Sequence, residues 1–231
     1  MENYFIFNGM DSRDYNIKCS SPPIIMAKKA FKKITVPGRS GHLLIDENYY
    51  EPVYKTIRCR MLSKPETDSL FPKLREKGRL ILSSEPEKYY MAYVNSDIAM
   101  EYILADYRAF DITFCCEPFK YSLEEENDFI SVKSSPLTLY GKGNINALPF
   151  IKIYGSGTIS LNINGSTIQI KNVSGNVTLD SRFMSIMTGN TNMSMHMTGE
   201  FPMLLGNGEL NTISFSGNIS KIEIQPNWRW L

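Results

Sequence analysis

The chain has 231 residues, 42 % of them apolar and 21 % charged, with a net charge of +1. That length is comfortable for two domains, each with a core of its own, and the near-neutral charge removes the simplest argument for nucleic-acid binding. Charge is unevenly shared: residues 1–133 hold 19 of the 25 basic and 20 of the 24 acidic side chains, while residues 134–231 are rich in Ser, Thr, Asn and Gly. A shift of this kind predicts two domains of different type.

In chain order, Tyr4-Phe5-Ile6-Phe7 closed by Asn8-Gly9 reads as a strand entering a tight turn. Pro22-Pro23 breaks the chain, and Lys28, Lys29, Lys32 and Lys33 read as a solvated strand or loop edge. Ile34-Thr35-Val36 is a brief strand stopped by Pro37-Gly38. From Lys55 to Met61 the pattern alternates, with Ile57, Cys59 and Met61 on one face and Thr56, Arg58 and Arg60 on the other. A helix is predicted over 64–77: Ser63 and Glu66 have capping-box spacing, and Pro65 sits in the first turn. Leu70, Phe71 and Leu74 supply its apolar stripe, and Gly78 is expected to end it in a left-handed conformation. Strands follow at Leu80–Leu82, Tyr89–Val94 and Phe110–Cys116, the last closed by Glu117-Pro118. The first domain, residues 1–133, is thus expected to be α+β, with several strands and one helix.

Residues 134–231 carry almost no helical signal. Ile159, Leu161 and Ile163 alternate with polar residues, as do Ile168 and Ile170, Val177 and Leu179, Ile213 and Phe215, and Ile222 and Ile224. Turn signals fall at Asn164-Gly165, Ser174-Gly175, Gly189-Asn190, Gly206-Asn207-Gly208 and Gly217-Asn218. Short alternating strands with frequent turns predict an all-β sandwich, and the fold class overall is mainly β. Gly155, Gly165 and Gly175 lie ten residues apart, but flanking residues do not repeat, so successive hairpins explain the spacing better than a solenoid.

The four cysteines, Cys19, Cys59, Cys115 and Cys116, contain no CxxC and are expected as buried or half-buried thiols made in a reducing cytosol. No apolar run is long enough to span a membrane, and Met1-Glu2-Asn3-Tyr4 does not read as a secretion signal. Catalytic signatures are sparse. The two histidines, His42 and His196, stand in no nucleophile motif. Asp46, Glu47 and Glu51 near His42 read as a solvated loop rather than a metal shell. Asp180, Glu200, Glu209 and Glu223 are a thin supply for a paired-carboxylate glycosidase. The chain reads as non-enzymatic, without metal or cofactor. The alternative reading is carbohydrate binding, for which Tyr140, Tyr154, Trp228 and Trp230 are the candidate stacking aromatics.

Six segments, in order along the chain, carry a resemblance. These are Phe5-x-Phe7-Asn8-Gly9-x-x-Ser12-x-Asp14, Val36-Pro37-Gly38-Arg39-Ser40-Gly41 and Phe114-Cys115-Cys116-Glu117-Pro118-Phe119, then Gly199-Glu200-Phe201-Pro202 with Gly208, Asn211-x-Ile213-Ser214-Phe215-Ser216-Gly217, and Ile224-x-Pro226-x-Trp228-Arg229. Together they resemble the distal tail proteins (Dit) of long-tailed phages. The resemblance implies a structural protein of the virion tail tip, synthesised in the host cytoplasm. In that family the N-terminal domain forms a six-fold ring with a central channel. One face of the ring meets the tail tube protein and the other the tail-associated fibre or lysin hub. The C-terminal domain is a galectin-like sandwich on the outside, which in some relatives holds receptor-binding proteins. No catalytic residue or cofactor is carried over. Pro37, Gly38, Arg39 and Gly41 are motif positions, expected first as a turn and second as a subunit contact.

Overall fold

The computed structural model describes residues 3–22, 24–61, 67–98, 101–104, 107–124 and 128–231. It is mainly β and divides into two compact units, residues 1–120 with Leu231, and residues 121–230.

The first unit contains β1 (Phe5–Phe7), β2 (Met10–Asp11), β3 (Ile17–Cys19), β4 (Lys29–Ile34), β5 (Leu43–Tyr50), β6 (Val53–Met61), helix α1 (Thr67–Leu74), β7 (Gly78–Leu82), β8 (Lys88–Val94), β9 (Glu101–Leu104) and β10 (Tyr107–Ser122). Its main sheet runs β2-β1-β7-β8-β10-β6-β3, with β9 on β10. Asn8 and Gly9, both at positive φ, make the predicted tight turn between β1 and β2. The inner face collects Phe5, Phe7, Ile57, Cys59, Met61, Leu80, Leu82, Phe110, Ile112, Phe114 and Cys116 in one core, with Leu70 and Leu74 of α1. The predicted alternation of β6 holds along its whole length, because a period of two puts every second side chain on one face. On the outer face, paired polar groups face solvent: Thr56 meets Thr113 at 2.9 Å, and Arg58 lies 3.5 Å from Asp111.

The helix differs from expectation. Its described turns end at Leu74, and Ser63, Pro65 and Glu66 lie outside the described residues. Pro72 stands inside the helix and offers no backbone N–H there. Phe71 is exposed, so the buried stripe is Leu70 and Leu74 alone. Nor is Gly78 a left-handed stop. It opens β7 opposite Ala92, packed so tightly on Asn8 that an added Cβ would lie 1.5 Å from Asn8 Oδ1. That oxygen accepts the Arg79 amide at 3.1 Å. Close approach to a side chain, not backbone handedness, requires the glycine.

The second unit contains β11 (Ile130–Val132), β12 (Leu137–Tyr140), β13 (Phe150–Ile163), β14 (Ser166–Asp180), β15 (Ser185–Thr188), β16 (Thr191–Asn192), β17 (Met197–Thr198), β18 (Leu210–Gln225) and β19 (Arg229–Trp230). Because β11 pairs with β18, the second unit takes in residues before 134, ahead of the expected boundary. Its organisation rests on three long strands, each used twice. The halves of β13, β14 and β18 nearest residues 151, 178 and 223 pair in the order β11-β18-β13-β14-β15-β16. The other halves, near residues 161, 168 and 213, pair with β12 at one side and β17 at the other.

Between the halves the ladder is interrupted. Gly155 stands opposite Gly175, and the register shifts between Gly157 and Ile159. One extra residue of β14 is taken up there, where Asn172 has positive φ. β18 shifts near Ser220 and again towards Gly217. These irregularities exchange the inward parity from Ile168 and Ile170 to Val173, Val177 and Leu179, and from Ile213 to Ile222 and Ile224. All of these side chains enter one core with Ile151, Ile153, Ile159, Leu161 and Ile163. The ten-residue glycine spacing is therefore a hairpin turn at Gly165 flanked by two bend glycines that face each other. Asn211, fully buried, is satisfied by the Leu205 backbone, accepting its N–H at 2.7 Å and donating to its carbonyl at 3.0 Å.

Candidate assembly interface

β4 and β5 form a two-stranded sheet of their own, and among the described residues no third strand pairs with it. Its register sets Ile34 opposite Leu43, Lys33 opposite Leu44, Lys32 opposite Ile45 and Phe31 opposite Asp46. Alternation then sends Leu43 and Ile45 to one face and Leu44 and Phe31 to the other. All four are exposed, Leu44 by 54 %, and Tyr49 with them. The approach to the hairpin repeats the feature: Ile24 and Ile25 are exposed, and Met26 by 74 %. Among the described residues neither edge of this arm is paired with a further strand, and both faces carry exposed apolar side chains. A lone two-stranded hairpin is marginal in water, and open edges are templates for another strand.

The arm is anchored at its base. Ala30 is buried, Tyr50 packs on the core and stands edge-on to Phe119 at 5.4 Å, and the Glu51 amide donates to the Lys28 carbonyl at 2.8 Å. Lys29 and Asp46 form an ion pair across the strands. The lysine contact, helped by the Asn48 amide, holds the Asp46 carboxyl below its ordinary range, and the Lys29 ammonium is raised in turn. At the tip, Gly38 and Gly41 have positive φ, and the Arg39 amide donates to the Val36 carbonyl at 3.1 Å. Pro37, Gly38, Arg39 and Gly41 are thus a turn in which Arg39 is exposed at the end of an apolar arm.

The structure does not gather the candidate sugar-stacking aromatics. Trp228 is only 3 % exposed and belongs to the core, and Trp230 packs against it half-buried. Tyr140 is exposed on β12 opposite Leu210, whereas Tyr154 lies opposite Lys221, in the other half of the long strands. Tyr154 also donates to Glu223 at 2.9 Å, with the Lys152 and Lys221 ammonium groups over its ring. Other late motif residues serve packing. A Cβ on Gly199 would meet the Thr167 carbonyl at 2.4 Å, Pro202 is buried, and Arg229 Nε donates to the Asn146 carbonyl at 2.9 Å.

His42 Nδ1 stands 3.4 Å from Thr35 Oγ1, and His196 Nδ1 lies 3.3 Å from Asn172 Nδ2. Among the described residues, no group of three or more His, Cys, Asp or Glu is placed to hold a metal ion. Nor is any described helix long and apolar enough to cross a membrane.

Two features were not foreseen from sequence. The exposed arm is one: Leu43-Leu44-Ile45, an apolar run without alternation, was its signal. The other is Lys55, 1 % exposed on the inward face of β6, its ammonium 4.8 Å from the Tyr90 ring. Burial lowers its pKa, opposed by Cys116 and Glu85. Nearby, Lys120 is held to Glu85 at 2.8 Å, and burial pushes the Cys116 thiol up to about 12.

No protein-family description and no curated protein matches the chain. Solved structures do. SPP1 Dit, a paradigm of the hub adsorption apparatus in phages infecting Gram-positive bacteria, superposes with a TM-score of 0.77 at 13 % identity, covering 100 % of both chains. Chains of the phage p2 baseplate in its activated conformation, with strontium and with calcium, give TM-scores of 0.52 and 0.53 at 11 % identity over 97 % of each chain. At such identities the likeness is one of fold, and the chain has, from end to end, the fold of a phage tail hub protein.

Proposed function

We propose that this protein is a non-catalytic structural component of a phage tail, a distal tail protein whose copies close into a ring at the tail tip. The observation that carries the reading is the β4–β5 arm, which exposes apolar side chains on both faces and, among the described residues, is paired at neither edge. Joined with the full-length likeness to a hub protein, it supports an arm laid on the neighbouring copy. Such a contact is heterologous: one patch meets a different patch on the next copy, and the series closes by rotation. Six copies make the ring. One face meets the tail tube protein, the other the tail-associated fibre or lysin hub, and the second unit is free to hold a receptor-binding protein. A net charge of +1 suits a channel that lets DNA pass, since a strongly basic lining would retain phosphates.

The test is light scattering of the full chain over a concentration series, with negative-stain images, on the natural protein and on Leu44→Asp. The expected result is a ring of six copies with a central hole, lost in the variant while its melting temperature is kept. A natural chain that stays monomeric at every concentration overturns self-assembly. A ring that survives Leu44→Asp removes the arm from its interface.

A further inference from the structure

We propose that Cys19 and Cys59 are a cross-strand dithiol that closes to a disulfide when the protein meets a disulfide oxidant, stapling edge strand β3 to β6. Cys19 and Cys59 are direct partners in the β3–β6 ladder, and their sulfurs are 3.8 Å apart. The next rung is a bond from the Ser20 amide to the Arg58 carbonyl, 2.8 Å. That bond makes the cysteines a non-hydrogen-bonded pair, the antiparallel position where Cα atoms come closest, about 4.5 Å. A disulfide needs Cα atoms roughly 4.4–6.8 Å apart. Neither backbone has to move; the side chains have only to rotate.

The two thiols differ in the way such chemistry needs. Cys19 is half-exposed at the sheet edge, and Cys59 is fully buried. The Cys59 thiol and the Ser12 hydroxyl hydrogen-bond to Cys19 and favour its thiolate, whereas the Cys59 thiol is pushed up by Cys19 and by burial. Cys19 therefore attacks. Its thiolate displaces one thiolate from oxidised glutathione and forms a mixed disulfide. Cys59 then gives up its proton, attacks the Cys19 sulfur and expels the second glutathione thiolate. Two protein thiols are oxidised, and one oxidised glutathione becomes two reduced ones. The cysteines stand 40 positions apart, so the closed loop encloses the whole arm, residues 29–50.

The test incubates the full chain with oxidised glutathione, alkylates under denaturing conditions, and maps peptides by mass spectrometry. The expected product has lost the mass of two hydrogen atoms, contains one peptide linking Cys19 to Cys59, and retains alkylated Cys115 and Cys116. Its melting temperature rises by on the order of 10 °C, as closing a loop of this length implies. Cys59→Ser is expected to stop at a glutathione adduct on Cys19. Free Cys19 after incubation, a natural chain arrested at the adduct, or a disulfide between molecules overturns the proposal, and these outcomes on the natural chain need no variant to fold.

Discussion

The molecule contains two long antiparallel hairpins that obey the same ladder geometry and meet opposite fates. In β13–β14, apolar residues alternate with polar ones, and one face is buried: Ile151, Ile153, Ile159, Leu161 and Ile163 are all within the core. In β4–β5, apolar residues fall on both faces and all but Ala30 remain half-buried or exposed. Backbone pairing is common to both, so pairing does not decide which hairpin stands alone. What decides is whether apolar area leaves water, at about 25 cal/mol per Å². The first hairpin completes that transfer within its own unit. The second does not, and Phe31, Leu43, Leu44 and Ile45 stay exposed.

The sharpest way to break this comparison is a matched pair of truncations. Leu161→Ala empties a packed site and is expected to cost about 2–5 kcal/mol in denaturant unfolding. Leu44→Ala on the dissociated chain is expected to stay within about 0.5 kcal/mol. Equal costs would show that the arm is held by its own unit after all. A smaller effect sharpens the view of the bend. A Cβ at Gly155 would meet the Asn218 carbonyl at 2.4 Å, so Gly155→Ala is expected to cost about 1–3 kcal/mol. A neutral outcome would mean that the long strands bend for reasons other than this close approach.

Smallest is the Lys29–Asp46 pair of the arm. The folded Asp46 pKa lies below its ordinary value of 3.8, so whatever the pair contributes is complete above that pH and fades as acid carries the pH down through the folded value. Because both groups face solvent, screening leaves little for stability, and NMR titration of the carboxyl is the suitable readout. The midpoint is expected below 3.8 in the natural chain and higher in Lys29→Met, where only the Asn48 amide still lowers it. No difference between the two would remove the ion pair from the description of the arm.

Much of the fold was legible because burial is periodic. The β6 alternation, the apolar pairs of β13, β14 and β18, and the Asn8-Gly9 and Asn164-Gly165 turns all follow from side-chain period and turn chemistry. What escaped depended on contacts distant in sequence. Gly78 reads as a helix stop until Asn8, seventy residues earlier, is seen against it. Lys55 hides within a correct strand pattern, since a charged residue at an inward position breaks the rule on which the pattern rests. The arm was legible only at its tip, where Pro37, Gly38, Arg39 and Gly41 read as a turn. An uncovered hairpin has no burial to impose alternation, and so its sequence shows none. Trp228 shows the reverse case: a large aromatic fills a core as readily as it meets a sugar, and here it is buried.

The bent strands of the second unit carry a consequence for its motions. Each of β13, β14 and β18 contributes its two halves to two sets of neighbours, so neither half of the sheet owns its strands. Peeling one half away drags on the other through continuous backbone, and no loop cut separates them. The amides of both halves are therefore expected to exchange with solvent through a single opening, as one foldon, while the edge pieces β15 to β17 open on their own. A body that yields only all at once is suited to carrying load without creeping.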